Sequence, residues 1–64
     1  GIDRGTLLRS KALLMRLGYS VGRLDGRTTA KFKAAVFKYQ KAQKLNPTGD
    51  LDPATLKSLT GREQ

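Results

Sequence analysis

Leu17-Gly18-Tyr19-Ser20-Val21-Gly22-Arg23-Leu24-Asp25-Gly26 and, downstream, Gly49-Asp50-Leu51-Asp52-Pro53-Ala54-Thr55-Leu56 decide how this chain folds. Each stretch is a glycine-bearing turn ending in an acidic residue that can start a helix, and the two flank one long helical pattern. A glycine after a leucine-rich helix supplies the left-handed residue that closes the last turn. Asp52 before Pro53 reads as an N-cap with proline at the first helical position, where a missing N–H costs nothing. The punctuation is helix, turn, helix, turn, short helix. It predicts an all-α, compact three-helix bundle with long ordered turns.

Upstream of the first turn, a helix is predicted from about Thr6 to Leu17, with Thr6 or Asp3 as N-cap. Leu7, Leu14 and Leu17, flanked by Leu13 and Met15, form its apolar face. Leu8 and Ala12 widen that face, while Arg9, Lys11 and Arg16 occupy most of the remainder. Gly18 ends the helix with positive φ, and Tyr19 folds back over the last turn, with core packing favoured over ligand contact. Within the turn, Val21 and Leu24 are predicted to be buried. Gly26 is expected to take positive φ while the Asp25 carboxylate accepts nearby backbone N–H groups. Thr28 and Thr29 are both competent caps for the next helix, and Thr29 is the predicted one.

The second helix is predicted over about Ala30 to Lys44, with Phe32, Ala35, Val36, Tyr39 and Gln43 on one face. Gln40 lies beside that face, placed to bond a loop carbonyl. Phe37 lies away from it, among Lys33, Lys41 and Lys44. Asn46-Pro47 breaks the helix, because Pro47 lacks a donor and pushes Asn46 toward extended geometry. A third helix runs from about Pro53 to Leu59 and stops at Gly61, with Arg62-Glu63-Gln64 as a frayed end. Leu45, Leu51, Leu56 and Leu59 complete the predicted core.

Sixty-four residues, 38% of them apolar and only four aromatic, make one domain with a thin core. No apolar run is long enough for a signal or a membrane span, so membrane insertion is not expected. The start lacks a methionine, and the chain reads as a single domain over residues 1–64, its core about 6–60, excised from a longer protein. Without cysteine or histidine, zinc sites built from those ligands and histidine-activated nucleophiles are excluded. Of the five acids, Asp25 and Asp52 are committed to turns and caps, which disfavours a carboxylate-pair hydrolase. No catalytic constellation is found, so no enzyme, cofactor or metal is expected.

The charge is +8 and lopsided. From Arg4 to Lys44 eleven lysines and arginines face one acid, Asp25, whereas beyond Leu45 two bases face three acids. Such a domain is attracted to polyanions: nucleic acid, anionic lipid or a carboxylate-rich bacterial wall.

In order and spacing, Leu14, Leu17-Gly18-Tyr19, Asp25-Gly26, Ala34-Ala35-Val36, Tyr39-Gln40, Leu45, Gly49 and Asp52-Pro53-Ala54-Thr55-Leu56 resemble the small three-helix bacterial peptidoglycan-binding domain. The resemblance covers roughly residues 7 to 60. Two departures stand out. Arg27-Thr28-Thr29-Ala30-Lys31-Phe32 replaces the family's hydrophobe, phenylalanine-glycine, proline and threonine, and Ser10-Lys11 replaces leucine-glutamine of the first helix.

The resemblance implies a non-catalytic module that binds peptidoglycan, through stem peptide or glycan, and anchors an attached protein at the bacterial envelope, periplasmic or extracellular. It also implies a shallow groove beside the aspartate-glycine turn and the start of the second helix, with Arg23, Asp25, Gly26, Arg27, Thr28, Thr29 and Gln40 as ligand-binding residues. There the helix N-terminus favours an anion, and Arg23 and Arg27 add charge-assisted bonds to a carboxylate. The alternative is a protein-interaction module that keeps the fold without the ligand, using Lys33, Phe37 and Lys41 against partners or other domains of the parent protein. Nucleic acid is disfavoured, because the second helix must bury Val36 and Tyr39 and shows no base-reading pattern.

Overall fold

The computed structural model describes residues 3–61, and the predicted frayed end at 62–64 lies outside them. Three helices follow in chain order, α1 (Arg4–Arg16), α2 (Ala30–Ala42) and α3 (Pro53–Gly61), and no strand occurs among the described residues. Each helix starts where a side-chain oxygen meets an orphan N–H. Asp3 accepts from Thr6 N at 2.7 Å, Thr29 from Phe32 N at 3.2 Å and Asp52 from Thr55 N at 2.9 Å. Asp3 therefore caps α1, which begins two residues before Thr6.

α1 and α2 end in the same way. Gly18 stands at φ +94 and lets Tyr19 N reach back to Leu14 O at 2.9 Å. Lys44 stands at φ 60 and lets Leu45 N reach Gln40 O at 2.8 Å, so α2 stops at Ala42, short of the expected Lys44. Both are left-handed closures that satisfy a last-turn carbonyl; only the first uses glycine. α3 continues through Gly61, which is its last helical residue.

α1 packs against both other helices, and the core collects Leu7, Leu13, Leu14, Val21, Phe32, Ala35, Val36, Tyr39, Leu51 and Leu59. Tyr39 is fully buried and shares a 2.6 Å hydrogen bond with Ser58 Oγ, so its hydroxyl carries no unmet desolvation cost. Tyr19 stands edge-on to it at 6.0 Å, a favourable aromatic geometry. Leu45 and Leu56 are half-buried against this core.

Four expected core positions are corrected. Leu17 is 43% exposed, because it is the C-cap beyond the last core layer and Tyr19 packs there instead. Leu24 is 53% exposed, because the loop around it turns its carbonyls inward, as described below. Met15 and Gln43, at the ends of their helices, face solvent. The opposite correction concerns Lys11, assigned to the solvent face but completely buried between Leu7 and Leu14 on the α1 stripe.

Gly26 is also corrected. The glycines at positive φ are Gly18, Gly22 and Gly49; Gly26 is not among them. Its lack of a side chain serves close approach: a Cβ there would stand 3.0 Å from Arg4 Cγ.

Candidate functional site

The loop between α1 and α2 is organised by one buried ammonium. Lys11 Nζ donates to Arg23 O at 3.2 Å, Asp25 O at 2.9 Å and Asp25 Oδ1 at 3.2 Å, and also to Arg27 O. A buried cation is tolerable only with such compensation, and here three alternate carbonyls and a carboxylate provide it. The same ammonium lies 5.4 Å from the Phe32 ring centroid, adding a cation–π contact. Asp25 Oδ1 accepts in addition from Arg27 N at 3.0 Å. That backbone bond, then the Lys11 bond, hold the Asp25 carboxyl below the usual carboxylate range.

With the loop fixed, its outer side forms a wall of a surface cleft. One chamber of about 350 Å³ is lined by Arg4, Leu7, Asp25, Gly26 and Arg27. A second of about 290 Å³ is lined by Leu7, Thr28, Phe32, Gly49, Asp50, Leu51 and Asp52. Leu7 lines both. The first chamber is cationic, whereas the second has an apolar floor and an acidic rim from Asp50 and Asp52.

Of the residues expected to contact ligand, Asp25, Gly26, Arg27 and Thr28 come together along this cleft. Arg23 and Thr29 line neither chamber; the carbonyl of Arg23 is held by Lys11, and Thr29 Oγ1 caps α2. The first N–H groups of α2, at Ala30 and Lys31, precede the residues whose donors these bonds engage, and carry the positive end of the helix dipole.

Gln40 is fully buried, and the loop bond predicted for it is present. Its Nε2 donates to Asp50 O and Thr55 Oγ1, each at 2.9 Å, and lies 3.1 Å from Thr48 Oγ1. Its Oε1 accepts from Gly49 N at 2.8 Å. Gln40 therefore shapes the rim at Gly49–Asp52 from beneath and does not face the cleft. Asp52, bonded by the Thr55 hydroxyl and N–H and by Thr48, also sits below the usual carboxylate range.

Lys33, Phe37 and Lys41 lie on the exposed side of α2. Lys41 Nζ is 5.4 Å from the Phe37 ring centroid, and Phe37 is 41% exposed. Lys33 Nζ stands 3.9 Å from Asp50 Oδ1, a solvent-exposed pair of small energetic weight. Among the described residues, no group of three or more histidine, cysteine, aspartate or glutamate side chains is placed to hold a metal ion.

Sequence reasoning missed Arg4, Leu7 and Lys11 as parts of the site. For Lys11 a signal existed: Leu7, Lys11 and Leu14 follow i, i+4, i+7 spacing, which puts the lysine inside the apolar stripe. Arg4 had none, because its approach to Gly26 joins segments far apart in the chain.

The fold and cleft define a small three-helix module with ordered inter-helix loops. Residues 7–59 match the family described as "Putative peptidoglycan binding domain", and the chain belongs to that family. Comparisons with curated proteins and with solved structures returned no match. The Asp-Gly turn, the Tyr-Gln pair and the Asp-Pro cap that carried the resemblance all fall within the matched span.

Proposed function

We propose that this domain is a non-catalytic peptidoglycan-binding module that holds an attached protein at the bacterial cell envelope, on the periplasmic or extracellular side. Family membership over residues 7–59 carries the reading. The cleft supports it: loop residues, the cationic side chains of Arg4 and Arg27 and an apolar floor lie at the turn where the family resemblance expects ligand. Asp25, Gly26, Arg27 and Thr28 line the surface for stem peptide or glycan, while Thr29 and Gln40 fix that surface. Arg23 supplies positive charge from the same loop. The cleft is shallow, so single-site affinity is weak, and tethering raises the local concentration of whatever the domain carries.

The test is sedimentation with purified insoluble sacculi in the presence of competing DNA. Wild-type protein should co-sediment. Neutralising Arg23 and Arg27 together should weaken binding more than neutralising Lys38 and Lys57, which contribute only to the general field. Equal losses from both pairs would mean that the charge acts nonspecifically. The exposed Phe37 beneath Lys41 favours a second reading, a surface for other domains of the parent protein. Failure on sacculi, with Phe37→Ala abolishing contact between this domain and the rest of its parent, would put that reading first.

A further inference from the structure

Arg4, in the first turn of α1, shapes the cationic chamber. A Cβ built on Gly26 would stand 3.0 Å from Arg4 Cγ, 3.1 Å from Nε and 3.2 Å from Cδ, so the arginine lies directly across the glycine. Arg27 lines the same chamber. Among the described residues, neither guanidinium forms a direct ion pair: Asp3 caps α1, and Asp25, which lines the chamber and attracts Arg27 through space, gives its Oδ1 to Lys11 and Arg27 N. Lys11 thus has an electrostatic consequence beyond holding the loop: its charge offsets that of Asp25, so the chamber keeps the positive balance of Arg4 and Arg27.

We propose that Arg4 and Arg27 form a clamp over Gly26 for the free C-terminal carboxylate of a stem peptide. The inference rests on the peptidoglycan reading above and names the part of the ligand that is recognised. Guanidinium groups suit a carboxylate, which they can bond through paired N–H donors. The adjoining chamber fixes the ligand's other requirement. Leu7, Phe32 and Leu51 offer an apolar floor, so a small apolar side chain must lie next to the anion. Asp50 and Asp52 at that chamber's rim repel a carboxylate and accept peptide N–H groups, which sets the direction in which the chain lies. A peptide ending in alanine meets both conditions; a phosphodiester polymer lacks the methyl group beside the charge.

The probe is diacetyl-L-lysyl-D-alanyl-D-alanine, whose one ionised group at neutral pH is its terminal carboxylate, compared with its C-terminal amide by NMR titration. The acid should bind and shift the backbone amides of Leu7, Gly26 and Arg27, and the amide should bind about tenfold more weakly. Arg4→Gln and Arg27→Gln should each weaken the acid about tenfold and erase its advantage over the amide, while Lys57→Gln leaves both unchanged. Gly26→Ala needs no positive φ. It should melt like wild type yet bind several-fold more weakly, because the methyl group displaces Arg4. Equal binding of acid and amide, or full affinity in a folded Arg4→Gln, overturns the clamp. Sacculi sedimentation separates the two failures: wild type that still sediments without acid preference refutes the clamp alone, whereas wild type that does not sediment refutes the peptidoglycan reading.

Discussion

The loop between α1 and α2 is gathered around an ammonium, and the loop between α2 and α3 around a carboxamide. Lys11 has donors only, so its loop presents acceptors only: the carbonyls of Arg23, Asp25 and Arg27 and the Asp25 carboxylate. Gln40 has both kinds of group, so its loop offers an N–H at Gly49 along with the Asp50 carbonyl, and α3 adds the Thr55 hydroxyl. The difference reaches the surface. Carbonyls turned toward Lys11 leave Leu24 outside, whereas the tighter second loop keeps Leu51 in the core. A polar staple of each chemistry thus selects which side chains its loop can bury.

Removing the staples should give the largest effects. Lys11→Met keeps the length and loses every donor, stranding three carbonyls and exposing the loop to rearrangement. We expect a loss on the order of 3–5 kcal/mol, toward the lower end because the Asp25 side chain is 37% exposed and can be rehydrated. Gln40→Leu should cost less, about 2–3 kcal/mol, since its partners lose a neutral carboxamide and no charge-assisted bond. Urea unfolding measures both. Lys11→Gln, which restores the residue usual in the family, should recover part of the loss. A Lys11→Met protein as stable as wild type would show that the first loop holds itself.

The caps permit a finer comparison. Asp52→Ala should cost about 0.5–2 kcal/mol, and Thr29→Ala should fall at the lower end of that range. Asp52 binds Thr48 Oγ1 at 3.2 Å as well as Thr55 N, so it ties its loop to its helix, whereas Thr29 Oγ1 is bonded to Phe32 N alone. Equal melting shifts for the two variants would remove that distinction.

The helical frame was legible because its signals are local. Asp52-Pro53, Gly18 and the apolar spacing of α2 each act within one turn of chain, and all three helices formed near those signals, with ends shifted by at most two residues. One wall of the cleft was legible for the same reason, since Asp25, Gly26, Arg27 and Thr28 are consecutive. Its remainder was hidden by long-range causes. Lys11 carries a charge usually assigned to solvent, and its acceptors lie 12 to 16 residues away. Gly26 is constrained through space by Arg4, which a turn-based reading converts into an expectation of positive φ.

The two helix ends offer a stabilising change. Lys44 holds at φ 60 the conformation that Gly18 holds at φ +94. A side chain there carries steric cost that glycine avoids, partly offset by glycine's larger unfolded-state entropy. Lys44→Gly should therefore stabilise by up to about 1 kcal/mol, and Gly18→Ala should destabilise by a similar amount. Thermal melts of the pair check the sign, and a less stable Lys44→Gly would mean that the lysine side chain contributes more than its backbone costs.

The smallest expected effect is the acid response of the loops. Asp25 and Asp52 both have carboxyl groups lowered in the folded state, Asp25 first by Arg27 N–H and then by Lys11, Asp52 by the hydroxyl and N–H of Thr55. A lowered folded value means that the stabilisation is fully present above the unfolded value of about 4 and is lost as pH falls through the folded one. Stability should be flat from neutral pH to about pH 5 and decline below the usual carboxylate range. The backbone amides of Arg27 and Thr55 report each site separately by NMR. Both should titrate below the usual carboxylate range. In Lys11→Gln the Asp25 midpoint should rise, because a cationic donor has been replaced by a neutral one, while the Asp52 midpoint stays in place. A shift at both sites would mean that the staples are coupled through the core. No shift at Asp25 would mean that the Arg27 N–H alone holds its carboxylate and that Lys11 acts on the carbonyls.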